Sequence, residues 1–329
     1  YGTCTVTIFS LTVDQYRRNR DVIPLVDDWY WLSTAYSTAA NGYEHSARRV
    51  WSDGALGGGS AMDCAKAMAY FAKGSYRLVA IPTTSGSGSE VTDFAILTHN
   101  KVKHPLVDKR LRPDAAILDS DLLQELPKGL IAETGFDALS HAVEAYAAKN
   151  AGAMTDLYAR EAFSSAFAAL PASYAGRKDV RLKVHQAATM AGIAFTQAGL
   201  GLCHAMAHSL GGLFHVPHGR LNAILLPSVI TCNAHVAAKK YAELARAAGI
   251  GGSADTIAVR NLKNGLVRLR RELNLPETLA QAGVDPRSVW RSAEQIVKAT
   301  LEDPCCKTNP MEVEDFLVRR ILEEVTGRV

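Results

Sequence analysis

Four of the ten histidines in this chain, His204, His208, His215 and His218, fall within fifteen residues of the segment GLCHAMAHSLGGLFHVPHGRLNAILLP, Gly201 to Pro227. His204 and His208 are four residues apart, so on a helix they stack on one face. Gly211 and Gly212 offer that helix a C-terminal stop. Pro217-His218-Gly219 restarts the chain and presents His218 at a second helix start. Imidazoles concentrated in this way read as a metal site. In TGFDALSHAVEAY, Asp137 and His141 repeat the spacing of four, and a carboxylate and an imidazole so placed can ligate one ion because their heads converge. Alone they would read as an ordinary Asp–His helix pair. Beside the later cluster, Asp137, His141, His204 and His218 are the expected ligands of a divalent ion. His208 would face the same cavity without binding, as a proton relay near neutral pH. His215 would line the pocket. For His208 and His215 the plain alternative is a hydrogen-bonded core histidine.

A second kind of chemistry lies earlier. Gly57-Gly58-Gly59-Ser60 follows an apolar stretch and precedes the alanine-rich segment AMDCAKAMAYFA. A glycine turn there aims backbone N–H groups and a helix N-terminus at one spot, which suits a pyrophosphate. It is not GxGxxG, so the dinucleotide fingerprint does not apply. A tight turn with a capped helix is the plain alternative, since Ser60 and Asp63 form an S-x-x-D capping pattern. The Gly/Ser-rich turn from Thr83 to Ser89 lies one strand further on and could close over the same ligand. Lys103, in KVKHPLVD, could reach a phosphate or ribose, although a lone lysine is more often a surface charge.

The elements that must position these residues divide into two kinds. Strands are expected at Arg77–Thr83 and Ala115–Leu118, and Thr3–Val13 is rich in β-branched residues. Asp14–Trp51 shows no clean periodicity. Strand, glycine turn, helix, strand is α/β grammar. After Pro127 helical patterns fill the chain: Gly129–Ala148, Ala151–Leu170, Asp179–Ala198, Cys203–Leu213, Asn222–Asn233, Val236–Ala248, Ser253–Leu273, Pro286–Leu301 and Glu312–Val325. Pro171, Pro276 and Pro304 are expected to punctuate them. The expected domains are an α/β dinucleotide-binding domain, 1–125, doubly wound and Rossmann-like, and an all-α metal-binding domain, 126–329.

At 329 residues and 35.4 kDa, two domains are the natural division. The chain is 48% hydrophobic and 21% charged with a formal net charge of +3, which argues against a nucleic-acid or membrane surface. Its six cysteines show no CxxC spacing, as expected of reduced thiols in a cytoplasmic protein. No run of about 18 apolar residues suggests a transmembrane helix, and no secretory signal is visible.

Four blocks in order, GGGSAMDCAK, IPTTSGSGSEVT, TGFDALSHAVEAY and CHAMAHSLGG…VPHGRLNAILLP, resemble the iron-activated (group III) alcohol dehydrogenases. The likeness runs from about Leu56 to near the C-terminus. Within the family it is most similar to the propanol dehydrogenases of propanediol-using bacterial microcompartments. The resemblance implies a metal in the cleft between two domains, with ligands at Asp137, His141, His204 and His218, and it implies cofactor contacts at Gly58, Gly59, Ser60, Asp63, Thr83, Thr84, Ser87 and Lys103. His208 matches a second cleft histidine that assists proton movement. The expected cofactors are NAD, with NADP as the alternative, and Fe²⁺, with Zn²⁺ as the alternative. No strand ending in the acidic residue that reads the ribose is legible before GGGS, so that position does not choose between the dinucleotides. The expected partners are a short aldehyde or alcohol, a second copy of the chain, since dimers are common in the family, and microcompartment shell or lumen proteins. The expected reaction is reduction of an aldehyde such as propionaldehyde, with the ion polarising the carbonyl and the nicotinamide giving hydride. The rivals are a zinc-dependent glycerol or polyol dehydrogenase and a non-redox lyase resembling dehydroquinate synthase.

Overall fold

The computed structural model describes residues 7–9, 30–31, 52–71, 77–99 and 102–327. The chain divides into two compact units, Tyr1–Leu126 and Pro127–Val329.

The first unit is built on a five-stranded parallel sheet: β1 (Thr7–Phe9), β2 (Tyr30–Trp31), β3 (Ser52–Gly57), β4 (Arg77–Pro82) and, after a hairpin, β7 (Ala115–Ile117). The strand order is β1-β7-β4-β3-β2. The apolar runs LVAIP and AAI carry no alternation because strands inside a parallel sheet are covered on both faces; Ala80, Ile81, Ala116 and Ile117 are fully buried. Asp114 fastens β7 to β4, its backbone N–H donating to Leu78 O and its carboxylate accepting from Leu78 N, both at 2.8 Å. Helix α1 (Gly59–Phe71) makes the crossover from β3 to β4. The sequence patterns did not foretell the antiparallel pair β5 (Phe94–His99) and β6 (Val102–Val107). Of the expected Thr3–Val13 strand only β1 is described, and Asp14–Trp51 lies outside the described residues apart from β2.

The second unit is helical: α2 (Lys128–Ala147), α3 (Ala153–Tyr174), α4 (Arg181–Ala198), α5 (Leu202–Phe214), α6 (His218–Ala247), α7 (Asp255–Glu272), α8 (Pro286–Arg291), α9 (Ala293–Glu302), α10 (Pro304–Thr308) and α11 (Asp315–Thr326). Small residues let these helices approach closely; at Gly135 a Cβ would meet Leu170 at 2.3 Å. Several expected boundaries are corrected. The segments Asn222–Asn233 and Val236–Ala248 form one helix, α6, which runs through Pro227. Proline 227 has no N–H for the carbonyl of Ala223, and the buried guanidinium of Arg270 donates to that oxygen at 3.3 Å instead. Pro171 also lies inside a helix, in the last turn of α3, where Ala175 N donates to Pro171 O at 2.9 Å. Pro286–Leu301 is two helices meeting at Ser292. Helix α6 is long and apolar enough to cross a membrane, but 72% of its most apolar window is buried within the unit.

Candidate functional site

Three helices of the second unit converge. On α2, Asp137, His141 and Glu144 follow one another at spacings of four and three, which is one helix face. Helix α5 carries His204 and His208; α6 opens on His218 and carries Asn222 a turn later. Asp137 Oδ1 lies 3.8 Å from His204 Nε2 and 3.7 Å from His218 Nε2. One ligand atom from each of these three residues falls within 4.8 Å of the others. His141 is not in that group. Its ring is sandwiched between Phe195 and His204, with centroid separations of 4.4 and 4.5 Å.

The charge distribution suits a cation. Burial pushes the Asp137 carboxyl up, but His141, His218 and His204 outweigh it and hold the group well below the usual carboxylate range. Burial also pushes His204 down, and its pairing with Asp137 and Glu144 overrides that and lifts it to about 9. The same two carboxylates that favour a proton there would favour a metal. His218 is held well below its ordinary value by desolvation, and the imidazoles of His208, His204 and His141 push the same way, which leaves it in the neutral form a ligand needs. One carboxylate and imidazole nitrogens fit Fe²⁺ or Zn²⁺.

His208 lies beside this group. Its ring stacks on His218 at 5.1 Å, and its Nδ1 is 2.8 Å from Asp303 Oδ2. Burial works against the charge on Asp303, but the hydrogen bond and charge of His208 prevail and hold its carboxyl below the ordinary value. Asp303 Oδ1 also accepts from Cys305 N at 2.8 Å, at the start of α10. The Cys305 thiol lies within 4.8 Å of the ligand atoms of His208 and Asp303. Gly211 and Gly212 lie within α5 and do not end it; His215 does, in the left-handed region at φ 55°. His215 is exposed and its part in the fold is to stop this helix.

In the first unit the two Gly/Ser turns touch. Gly57, at φ 153°, ends β3, and Thr83 N donates to its carbonyl at 2.9 Å. A Cβ on Gly58 would meet Thr84 Oγ1 at 3.2 Å, and one on Gly59 would meet Ser87 Oγ at 2.9 Å. Gly57, Gly58, Gly59, Thr83, Thr84 and Ser87 are therefore brought together at the N-terminus of α1, and Ser60 stands exposed in its first turn. Asp63 does not cap this helix. Its carboxylate accepts from Ser89 Oγ at 2.7 Å and from Ile96 N at 3.0 Å, because the segment after β4 folds back over α1. Lys103 is on β6, in register with Thr98; its side chain lies outside the described residues.

Sequence reasoning passed over four residues. Glu144 and Asn222 had a signal, since each continues the helical stripe of a named ligand. Asp303 and Lys66 had none. Lys66 is fully buried on α1 and donates to Thr92 Oγ1 at 2.8 Å and to Phe94 O at 2.9 Å.

Comparison with known proteins agrees with this architecture. Residues 55–120 match the profile of the iron-containing alcohol dehydrogenases, and residues 131–326 match that of the C-terminal region of the Fe-containing alcohol dehydrogenase family. A 1-propanol dehydrogenase of Salmonella typhimurium is 43% identical over 283 residues, covering 82% of this chain and 76% of that protein. An NADPH-dependent butanol dehydrogenase of Clostridium saccharobutylicum is 36% identical over 290 residues, covering 82% and 75%. Among solved structures, an alcohol dehydrogenase from Oenococcus oeni superposes with a TM-score of 0.80 at 29% identity, covering 84% of this chain and 77% of that one. The parallel α/β unit and the helical unit are thus those of an oxidoreductase scaffold, and the chain belongs to the iron-containing alcohol dehydrogenase family.

Proposed function

We propose that this protein is a metal- and NAD(P)-dependent alcohol dehydrogenase that reduces short-chain aldehydes, propionaldehyde among them, to the corresponding alcohols. The observation that carries the metal chemistry is the convergence of Asp137, His204 and His218, with Asp137 held ionised by the surrounding imidazoles. His141, one turn along α2 from Asp137, is the fourth ligand of this reading. When bound, a divalent ion supplies Lewis-acid polarisation of a carbonyl oxygen, and a nicotinamide dinucleotide supplies the hydride. Gly57, Gly58, Gly59, Ser60, Thr83, Thr84 and Ser87 bind the pyrophosphate at the N-terminus of α1, Lys103 adds a cation, and Asp63 holds the second turn against that helix. His208, its Nδ1 committed to Asp303, has Nε2 left to hand a proton to the developing alkoxide. A three-carbon substrate is favoured by the 43% identity to a 1-propanol dehydrogenase. NADH is the expected donor and NADPH the alternative, since the relatives include an NADPH-dependent butanol dehydrogenase and an NAD-dependent methanol dehydrogenase. Fe²⁺ is the expected ion, following the family, and Zn²⁺ the alternative.

The test is anaerobic oxidation of NADH and NADPH with propionaldehyde by chelated protein to which Fe²⁺ or Zn²⁺ has been restored. Turnover that depends on the added ion is the expected result. No turnover with any short aldehyde or alcohol overturns the assignment.

A further inference from the structure

Helix α5 carries no N-cap of its own. Gly201 precedes it and offers no side chain, yet the first N–H groups of a helix need acceptors. They find them on other elements. Glu144, reaching from α2, accepts from Gly201 N at 3.0 Å, Cys203 N at 2.7 Å and His204 N at 3.3 Å, and Asn309 Oδ1 accepts from Leu202 N at 3.1 Å. A fourth contact on Glu144 is the shortest: His204 Nδ1 lies 2.6 Å from Oε2. Both groups are almost completely buried.

A carboxylate can only accept, so Nδ1 of His204 must carry the proton, and the ring must turn its other nitrogen away. That nitrogen, Nε2, is the one that lies 3.8 Å from Asp137 Oδ1. An independent contact agrees. Asn222 Nδ2 lies 3.1 Å from His204 Nε2 and donates to Asp137 Oδ1 at 2.7 Å. The orientation of that amide is fixed by the Cys203 thiol, which reaches Asn222 Oδ1 at 3.4 Å. In the neutral ring this tautomer leaves a lone pair on Nε2 to meet the amide N–H at 3.1 Å.

We propose that Glu144 is the positioning residue of the metal centre: seated across the first turn of α5, its carboxylate fixes the ring and tautomer of His204 so that Nε2 is presented to the cation. This rests on the metal site proposed above. One face of α2 then acts twice, offering Asp137 and His141 directly and setting His204 through Glu144. Histidine ligands whose second nitrogen is held by a carboxylate depend on that partner for about 10–100-fold in metal affinity.

Zinc affinity, read by competition with a chromophoric chelator, separates the possibilities, with far-ultraviolet circular dichroism of the metal-free protein as the control for folding. Wild type should bind one equivalent tightly, and Glu144→Gln should bind about 10–100-fold more weakly while its metal-free form keeps the wild-type helical signal. Gly201→Ala gives a second perturbation, one that keeps the carboxylate but shifts it. Its Cβ would lie 2.8 Å from Glu144 Oε1 and 2.7 Å from Asn309 Oδ1, and the displaced Glu144 should weaken zinc in the same direction. The Co²⁺-loaded forms add a readout that a purely structural role would not move: at saturating Co²⁺ the visible ligand-field bands of Glu144→Gln should differ from wild type. Wild-type zinc affinity in both variants overturns the proposal, as does loss of helix content with zinc affinity unchanged. Failure of the wild-type protein to bind any divalent ion overturns the metal site itself and is distinguishable from either.

Discussion

At the scale of single residues, the two histidines of α5 are one turn apart and differ in what holds them. His204 is buried between Glu144 and Asp137, whereas His208 is partly exposed and tied to Asp303. The expected consequence is a division of labour. His204→Ala should lose the bound ion by metal analysis, because it removes a ligand and leaves two buried carboxylates without their partner. His208→Ala should keep the ion and lower kcat by about 10²-fold or more, the usual contribution of a positioned acid or base. If both variants lose metal equally, the division is wrong. The spacing of four and the different parts expected of His204 and His208 were legible in the sequence, whereas the carboxylate that each one holds was not.

At the scale of elements, two close approaches deserve separate tests. Where α6 crosses α2, a Cβ on Gly219 would lie 2.0 Å from the backbone oxygen of Glu133 and 3.2 Å from Asp137 Cβ. Backbone cannot yield as a side-chain tip can, so Gly219→Ala should force the helices apart. A destabilisation of about 3 kcal/mol or more is expected in urea unfolding, at the severe end for overpacking, with weakened zinc binding because His218 is the next residue. An alanine variant with wild-type stability and affinity would show that the crossing is looser than described. In the first unit, Lys66 ties α1 to the segment after the second Gly/Ser turn. Burial lowers its ammonium to about 8, against the attraction of Asp63, Glu90 and Asp93. Between about pH 8 and the ordinary lysine value the unfolded chain therefore binds more protons than the folded one, and stability rises with pH through that window. Below it the cost of the buried charge, on the order of 3 kcal/mol, is fully felt. Melting curves should show wild type gaining on Lys66→Met between pH 7 and pH 10; a difference that stays constant contradicts this. Nothing in the local sequence around Lys66 signals its burial. Its burial comes from Thr92 and Phe94, 26 and 28 residues away.

At the scale of the whole molecule, the proposed metal ligands all belong to the helical unit and the Gly/Ser turns to the α/β unit. A ligand that binds only the folded state stabilises it by about 3 kcal/mol at a hundred times its Kd. Zinc or iron should therefore protect amides of α2, α5 and α6 from hydrogen exchange, whereas NADH should protect the start of α1 and residues 83–92. Chelation should lower the melting temperature of the helical unit. Metal-dependent protection confined to the α/β unit would contradict the placing of the ion.

The sequence by itself determined the parallel α/β start, the helical remainder, the two Gly/Ser motifs and the histidine cluster. Each is written in local spacing: apolar runs without alternation for covered strands, glycines where backbones meet, and a period of four for one helix face. It also carried the family likeness. What tertiary structure alone decided is how those residues are served. Asn222–Asn233 and Val236–Ala248 read as two helices, yet they are one, which runs through Pro227 with Arg270 satisfying the carbonyl of Ala223. Asp63 reads as a cap until Ser89 and Ile96 are seen to claim both of its oxygens. Glu144 and Asp303 become the partners of His204 and His208 across 60 and 95 residues of chain. The physical reason is common to all of these. Helix and strand patterns follow from neighbours along the chain, but a buried donor or acceptor takes whatever partner packing brings to it, from any distance in sequence.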